Sequence, residues 1–406
     1  MSTRIDKMFE PFHSTYKIIA YAMSMGLLLP RPGNERMRLI AIFAGSLFTI
    51  PVITLILFDG YQCWLRRDFV NIIRHTTILG PLYGILLKVR TDRQTERVIL
   101  LDFFASVKDL MNQTNLDYQS YNYLPEAHKA MIQDDINICL KTERAWTSCV
   151  FTCVLMFPLM ATASTIHSQL FDAEPKRYMI HEISFAFAHE TPCFEILFVY
   201  QMSCSGIFVL NFTGFDGFFS LIISHACLKM KLFGVRVQDA LLLDKQDSII
   251  KSLVFAIEDQ CKMFRYVEKI QKTFSLWLAI ILLATVMQIC NCMYQLMEGS
   301  GFDLRYFIFI MGTVFHIYMP CRYASELKDM VRHLLTGAWE RTPAPAVRRM
   351  VLFMVARCQL PVTITALNVV TYDMELFVSV RTNQLVMCRI SLLQKSYSMF
   401  TLLRSS

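Results

Sequence analysis

The sequence predicts an all-α integral membrane protein with seven transmembrane helices, a cytoplasmic N-terminus and an extracellular C-terminus. Its composition supports this class, because 54% of the 406 residues are hydrophobic and only 18% are charged. A soluble domain is nearer a quarter charged, so this balance argues against a soluble enzyme. No internal repeat or low-complexity stretch divides the chain, so residues 1–406 are interpreted as one integral membrane domain.

Seven stretches are predicted to cross the membrane, since a crossing needs about 20 mostly apolar residues. Six of them cover residues 39–58, 69–87, 145–170, 192–212, 273–296 and 304–321. The seventh, longer and more polar, covers residues 362–403. Charged residues interrupt the apolar runs near the N-terminus, so the first span is expected to direct insertion without a secretory signal.

The positions of the basic residues predict the orientation. Of the 40 Lys and Arg residues, 30 lie before span one or between spans two and three, four and five, and six and seven. Six lie on the opposite side, so the positive-inside rule makes the N-terminal side cytoplasmic. A G-protein-coupled receptor has the opposite orientation. The net charge of +7 reflects the same bias, so no nucleic-acid partner is expected.

The predicted cytoplasmic segments are helical in pattern. Between spans four and five, apolar residues recur at steps of three or four and form one stripe. The stripe consists of Val254, Ile257, Cys261, Phe264 and Val267. It either packs within its own subunit or forms a contact between subunits. After span six, Pro343 and Pro345 are expected to end one helix and to start another.

Residues that could carry chemistry are few. The sequence has no phosphate-binding Gly-rich loop, no nucleophile elbow and no zinc-binding His pair, so no catalytic residue, metal or other cofactor is predicted. The 13 cysteines are interpreted as buried apolar residues, and His181 and His189 as solvated loop residues. Ionisable residues within spans are functional candidates, and Arg74 and Glu195 either form a pair or extend separately to the outer interface.

The C-terminal part of the chain resembles a known family. Residues 393–403, Leu-Gln-Lys-Ser-Tyr-Ser-Met-Phe-Thr-Leu-Leu, resemble the closing signature of insect odorant receptors. Residues 360–366, Leu-Pro-Val-Thr-Ile-Thr-Ala, resemble the segment that opens the last helix in that family, and Trp339 lies where the family tends to have a tryptophan. The closing pattern of the related gustatory receptors is absent.

The resemblance implies a tetrameric, ligand-gated, non-selective cation channel whose cytoplasmic helical extensions form a shared anchor region. It implies a small volatile ligand, surrounding membrane lipid, and a place in the plasma membrane of olfactory sensory neurons. The co-receptor of the family has a longer stretch between spans four and five than residues 213–272, so this chain is expected to be an odorant-binding subunit that assembles with the co-receptor. A G-protein-coupled-like chemoreceptor, a gustatory-receptor-like channel and a carrier remain alternatives.

The resemblance also implies residue roles. Ligand contacts are expected in the outer halves of spans two, three, four and six. They are Ile72, His75, Thr76, Val154, Phe157, Ala161, Phe198, Met202, Tyr306 and Phe309. Pore-lining positions are expected at Ser398, Leu402 and Ser405, with Leu402 as a hydrophobic constriction.

One segment departs from the family pattern. Residues 381–391, which include Arg381 and Arg389, separate two motifs that are nearly adjacent in the family. The segment either lengthens the last helix by about three turns or is a splicing or gene-model variation.

Overall fold

The computed structural model describes residues 8–25, 35–68, 71–73, 75, 96–181, 183, 186–298, 303–333, 344–359 and 362–382. Almost all of these residues are helical, which confirms the predicted all-α class. The helices are α1 (Phe12–Thr15), α2 (Lys17–Met25), α3 (Glu35–Leu65), α4 (Glu96–Tyr121), α5 (Glu126–Phe171), α6 (Cys193–Leu241), α7 (Gln246–Glu298), α8 (Leu304–His333) and α9 (Pro345–Gln359). A short 3₁₀ helix, Ala186–His189, precedes α6, and strands β1 (Thr365–Ala366) and β2 (Val370–Thr371) follow α9.

Five described helices are long and apolar enough to span a membrane. These membrane-spanning candidates are Leu47–Leu65, Glu126–Phe171, Cys193–Leu241, Gln246–Met297 and Leu304–Asp329. They overlap predicted spans one, three, four, five and six. Most of predicted span two lies outside the described residues.

Three of the helices are much longer than a membrane crossing. Helices α5, α6 and α7 have 46, 49 and 53 residues. At about 1.5 Å per residue each is roughly 70–80 Å long, whereas the hydrocarbon core is about 30 Å thick. The surplus consists of the start of α5, the end of α6 and the start of α7. These are the segments that the sequence predicts to be cytoplasmic.

The main hydrophobic core lies in this surplus rather than among the apolar spans. We call the assembly of these helix ends with α1, α2, α4 and α9 the anchor region. Phe12 of α1 packs edge-on against Phe218 of α6 with ring centroids 5.7 Å apart. The hydroxyls of Tyr16 and Tyr118 are hydrogen-bonded at 2.8 Å, which joins α4 to the residue that precedes α2. The anchor region is therefore built like the interior of a soluble helical domain.

Helix α2 lies directly against α6. A Cβ added to Gly214 would lie 2.9 Å from the backbone nitrogen of Met23 and 3.0 Å from the carbonyl carbon of Ala22. Both atoms are backbone, so no rotation of a side chain could make room. Glycine at position 214 is thus what allows the two helices to approach so closely.

The amphipathic stripe of α7 has two different environments. Phe264 and Val267 are buried in the core of the anchor region, which confirms packing within the subunit for this half. Val254 and Cys261 are exposed. Helix α9 starts at Pro345, as predicted, and the Gln260 side chain donates a hydrogen bond of 3.1 Å to the Met354 carbonyl of this helix.

Predicted span seven, residues 362–403, does not begin as a helix. Strands β1 and β2 pair antiparallel, and helical residues follow only at 374–382. The Gln271 side chain accepts a hydrogen bond of 2.8 Å from the Thr365 N–H and donates one of 2.9 Å to the Thr365 carbonyl. Leu367 and Asn368 have positive φ angles of 50° and 57°, which form the turn. Only Arg381 and Thr382 of the departing segment 381–391 are described, and both are exposed.

Candidate ligand-binding site

Three of the predicted ligand residues form an aromatic cluster between α5 and α8. The Phe157 ring lies 5.6 Å from the Phe309 ring and 6.5 Å from the Tyr306 ring, measured between centroids. Both pairs are perpendicular, with interplanar angles of 89°. Perpendicular rings are a favourable aromatic arrangement, and they present both an edge and a face to a neighbouring group. The cluster therefore forms an apolar, aromatic contact between α5 and α8.

The loop between α5 and α6 covers this cluster with His181, whose ring centroid lies 6.4 Å from that of Phe157. The side chain of Gln201 in α6 holds the loop by two bonds to the His181 backbone. Its Oε1 accepts from the His181 N–H at 3.0 Å, and its Nε2 donates to the His181 carbonyl at 3.1 Å. On the other side, the Tyr178 N–H donates a hydrogen bond of 2.9 Å to the Thr165 hydroxyl of α5. The loop is thus tied to both helices.

His181 is half-buried and its Nδ1 is shielded from solvent, so the expectation of a solvated loop histidine is wrong for this ring. Burial, together with the nearby charge of His75, lowers the pKa of His181 to about 4, and the ring is therefore neutral near pH 7. Its Nδ1 has no hydrogen-bond partner among the described residues. A neutral imidazole that keeps one nitrogen available can form one directed hydrogen bond to a bound molecule. His189 differs, since its ring nitrogens lie 3.2 Å from the carbonyl oxygens of Arg177 and Ile183.

The second group of buried polar atoms lies at the end of α3. The His75 Nε2 lies 2.9 Å from the Asp59 Oδ2, and both side chains are almost fully buried. His75 was expected to contact the ligand, and the structure gives it an acidic partner in α3. Ile72, one turn earlier, is half-buried, whereas Thr76 lies outside the described residues.

The remaining predicted ligand residues occupy varied positions. Ala161 is buried and Val154 is half-buried in α5, one turn to either side of Phe157. In α6, the Phe198 ring contacts Phe194 at 5.9 Å, and Met202 is 45% exposed. The described contacts therefore join the α5 and α8 residues to one another and leave Met202 open on the surface of the subunit.

The structure gives Glu195 a partner that the sequence hypothesis did not include. The Arg177 guanidinium lies 3.1 Å from the Glu195 carboxylate, which also accepts a hydrogen bond of 3.2 Å from the Thr191 hydroxyl. Arg74 lies outside the described residues, so the described partner of Glu195 comes from the loop rather than from span two.

Several other expectations fall outside the described residues. They concern Ser398, Leu402 and Ser405 as pore-lining residues, the closing signature at 393–403, and Trp339.

Helix α8 joins the aromatic cluster to the last described helix. Tyr306 and Phe309 lie near its start. At its other end the Ser325 hydroxyl accepts a hydrogen bond of 2.8 Å from the Met374 N–H, and the Lys328 ammonium lies 3.3 Å from the Asp373 carboxylate. One continuous helix, which contains Pro320, therefore contacts both the aromatic cluster and the beginning of the last described helix.

Together these features define a helical protein with five helices able to span a membrane, an aromatic cluster between two of them and a large helical anchor region. Comparison with known proteins supports this description. A family model described as 7tm Odorant receptor matches residues 122–383, which is well over half of the chain. The chain belongs to this odorant receptor family, which confirms the family that the sequence analysis indicated.

Solved structures show the same fold. The insect olfactory receptor OR5 from Machilis hrabei in complex with eugenol is similar with a TM-score of 0.70 and 14% sequence identity, over 94% of this chain and 99% of that chain. A second structure of that receptor gives the same TM-score and identity, over 93% and 98% of the two chains. A sequence comparison with curated proteins gives no match.

Proposed function

We propose that this chain is the odorant-binding subunit of a ligand-gated, non-selective cation channel that assembles with the odorant co-receptor. The observation that carries the proposal is the cluster of Phe157, Tyr306 and Phe309 beneath His181, in a chain of the odorant receptor family. Such a site offers apolar contact on several sides and one polar atom. Those are the features that a small volatile molecule with a single polar group requires.

The proposed topology is the one expected from the charge distribution, with seven spans, the anchor region in the cytoplasm and the candidate site in the outer half of the membrane. The plasma membrane of olfactory neurons is the proposed location. Ser398, Leu402 and Ser405 are proposed to line a pore formed by the last helices of four subunits.

Helix α8 provides a physical route from the site to the pore. A ligand that packs better against Phe157 in one position of α8 than in another favours that position by the difference in binding free energy. Because α8 contacts residues 373–377 through Ser325, Lys328 and Tyr318, its position sets the position of the last helix. Ligand binding is thereby proposed to open the channel.

The test is whole-cell recording from cells that express this chain with the co-receptor, during rapid application of a panel of volatiles. Eugenol is a useful member of the panel because the related receptor is known in complex with it. We expect inward cation currents within milliseconds for at least one volatile, and none when either subunit is expressed alone. Responses that persist without the co-receptor and disappear when G-protein signalling is blocked would instead support a G-protein-coupled receptor.

A further inference from the structure

Three different metal-binding side chains meet at the end of α3. Asp59 and Cys63 are four residues apart in this helix and lie on one face of it. His75 reaches them from the helical residues that follow the turn at Arg66 and Arg67. The candidate ligand atoms, a carboxylate oxygen, a thiol sulfur and an imidazole nitrogen, all lie within 4.8 Å of one another.

The chemistry of this group matches Zn²⁺. Zinc binds carboxylate, thiolate and imidazole at about 2.0–2.3 Å, usually with tetrahedral geometry. Such bonds place the ligand atoms roughly 3.4 Å from one another. The Asp59 oxygen and the His75 nitrogen are 2.9 Å apart, so movements on the order of 1 Å would admit the ion.

Burial strengthens the case for a bound cation. Asp59, Cys63 and His75 are 1%, 4% and 4% exposed, so the carboxylate is held away from bulk water. Asp59 and His75 lie at ion-pair distance, and Cys63 brings a third metal-binding atom to the same point. A divalent cation accounts for all three, since it compensates the carboxylate and stabilises the thiolate.

The three side chains leave the fourth position of a tetrahedral site open. A site with three protein ligands and one further position can hold a water or an exchangeable molecule.

We propose that Asp59, Cys63 and His75 form a Zn²⁺ site at the end of α3, with the fourth position taken by water. On binding, the Cys63 thiol and the His75 Nε2 each release a proton to solvent as the zinc–sulfur and zinc–nitrogen bonds form, so occupancy rises with pH. The site is independent of the proposed channel activity, because it requires no odorant and no pore.

The test uses the purified complex of this chain with the co-receptor, first treated with a chelator and then supplied with Zn²⁺ or Co²⁺. Bound metal is measured by mass spectrometry after gel filtration, and the cobalt form by absorption. We expect one more zinc for each copy of this chain in the native complex than in a Cys63→Ser complex. The cobalt form should show a thiolate-to-cobalt charge-transfer band that the Cys63→Ser variant lacks.

Cys290→Ser is the matched control, because Cys290 is exposed on α7 and distant in sequence from the cluster. It should keep both the zinc and the cobalt band. His75→Gln should also lose the zinc. Because Cys63→Ser exchanges a single atom, the variant is expected to fold, and its loss of zinc can be assigned to the missing sulfur. Equal zinc content in the native and Cys63→Ser complexes, or an unchanged cobalt band, would overturn the proposal and leave Asp59 and His75 as a structural ion pair.

Discussion

At the scale of single residues, Gln201 has the clearest assignable role, because its amide satisfies both backbone groups of His181. Gln201→Leu leaves a buried N–H and a buried carbonyl without partners, at a cost of about 1–3 kcal/mol for each. We expect the loop to loosen and the half-maximal odorant concentration to rise roughly tenfold or more. Concentration–response curves, with surface expression measured in parallel, check this.

Two related variants sharpen that comparison. Gln201→Glu keeps the acceptor for the His181 N–H and loses the donor, so an intermediate shift is expected. Ser205→Ala is the control, since the Ser205 hydroxyl donates a hydrogen bond of 2.9 Å within its own helix, to the Gln201 carbonyl, and not to the loop residue His181. Identical curves for Gln201→Leu and Ser205→Ala would show that the loop does not depend on this amide.

At the scale of helices, the contact between α2 and α6 depends on the absence of a side chain at Gly214. Gly214→Ala forces the two backbones apart, and overpacking of this kind costs about 1–3 kcal/mol. Gly206→Ala in the same helix is the matched control, since a Cβ there has no neighbour within 4 Å. Alanine at 206 should be neutral or stabilising by up to about 1 kcal/mol. Thermal unfolding of the purified receptor measures the stability of both variants. Equal melting temperatures for Gly214→Ala and Gly206→Ala would contradict the close approach of α2 to α6.

The pairing of α6 with α8 includes a contact between the buried Asp216 carboxylate and the His316 imidazole. The Asp216 Oδ2 lies 2.9 Å from the His316 Nε2, and the His316 ring stacks on Trp146 with centroids 5.4 Å apart. His316→Phe keeps the stacking ring but removes the partner of a buried carboxylate, which costs about 3–5 kcal/mol. Asp216→Leu combined with His316→Phe should recover most of that stability, because no buried charge is left. A double variant as unstable as His316→Phe would contradict this account.

At the scale of the whole molecule, the anchor region makes stability depend on pH. The Asp117 carboxylate of α4 accepts hydrogen bonds from the Lys229 ammonium at 2.6 Å and from the His225 ring at 3.0 Å. Burial alone would raise the pKa of Asp117, but the hydrogen bond and charge of His225, together with Lys229, outweigh it and lower the pKa below the ordinary value. The native state therefore holds fewer protons on this group than the unfolded state does.

The sign of the pH effect follows from that lowered pKa. The stabilisation by Asp117 is fully present above about pH 4, the ordinary pKa of an aspartate, and is lost as the pH falls through the lower native value. Asp117→Asn should lower the melting temperature at neutral pH and flatten its decline in acid. Melting curves measured from neutral pH down to about pH 3 test this, and parallel acid declines in both proteins would contradict it.

The sequence predicted the architecture better than it predicted the site. Long apolar runs and the placement of Lys and Arg indicated the spans and the helical extensions, because membrane insertion depends on composition over about 20 residues. The hairpin at Thr365–Thr371 was not anticipated, because it depends on the side chain of Gln271, which is far away in the sequence.

The site depended even more on contacts between distant residues. Phe157, Tyr306 and Phe309 were identified through the family resemblance, and the structure brings them together. His181 was missed because a polar loop residue is usually solvated, and its burial depends on Gln201. The spacing of Asp59 and Cys63 in the sequence indicates that they share a helix face. His75, the third member of the proposed zinc site, joins them only because the chain turns after α3.

The most direct measurement of the central claim compares two phenylalanines of α5 in the assembled channel. Phe157 forms the aromatic cluster, whereas Phe151 is 55% exposed on the same helix. Concentration–response curves for the strongest agonist should shift roughly tenfold for Phe157→Ala, as expected for a loss of aromatic contact and apolar burial. They should be unchanged for Phe151→Ala. Equal sensitivity of the two variants, at equal surface expression, would contradict the assignment of the odorant site.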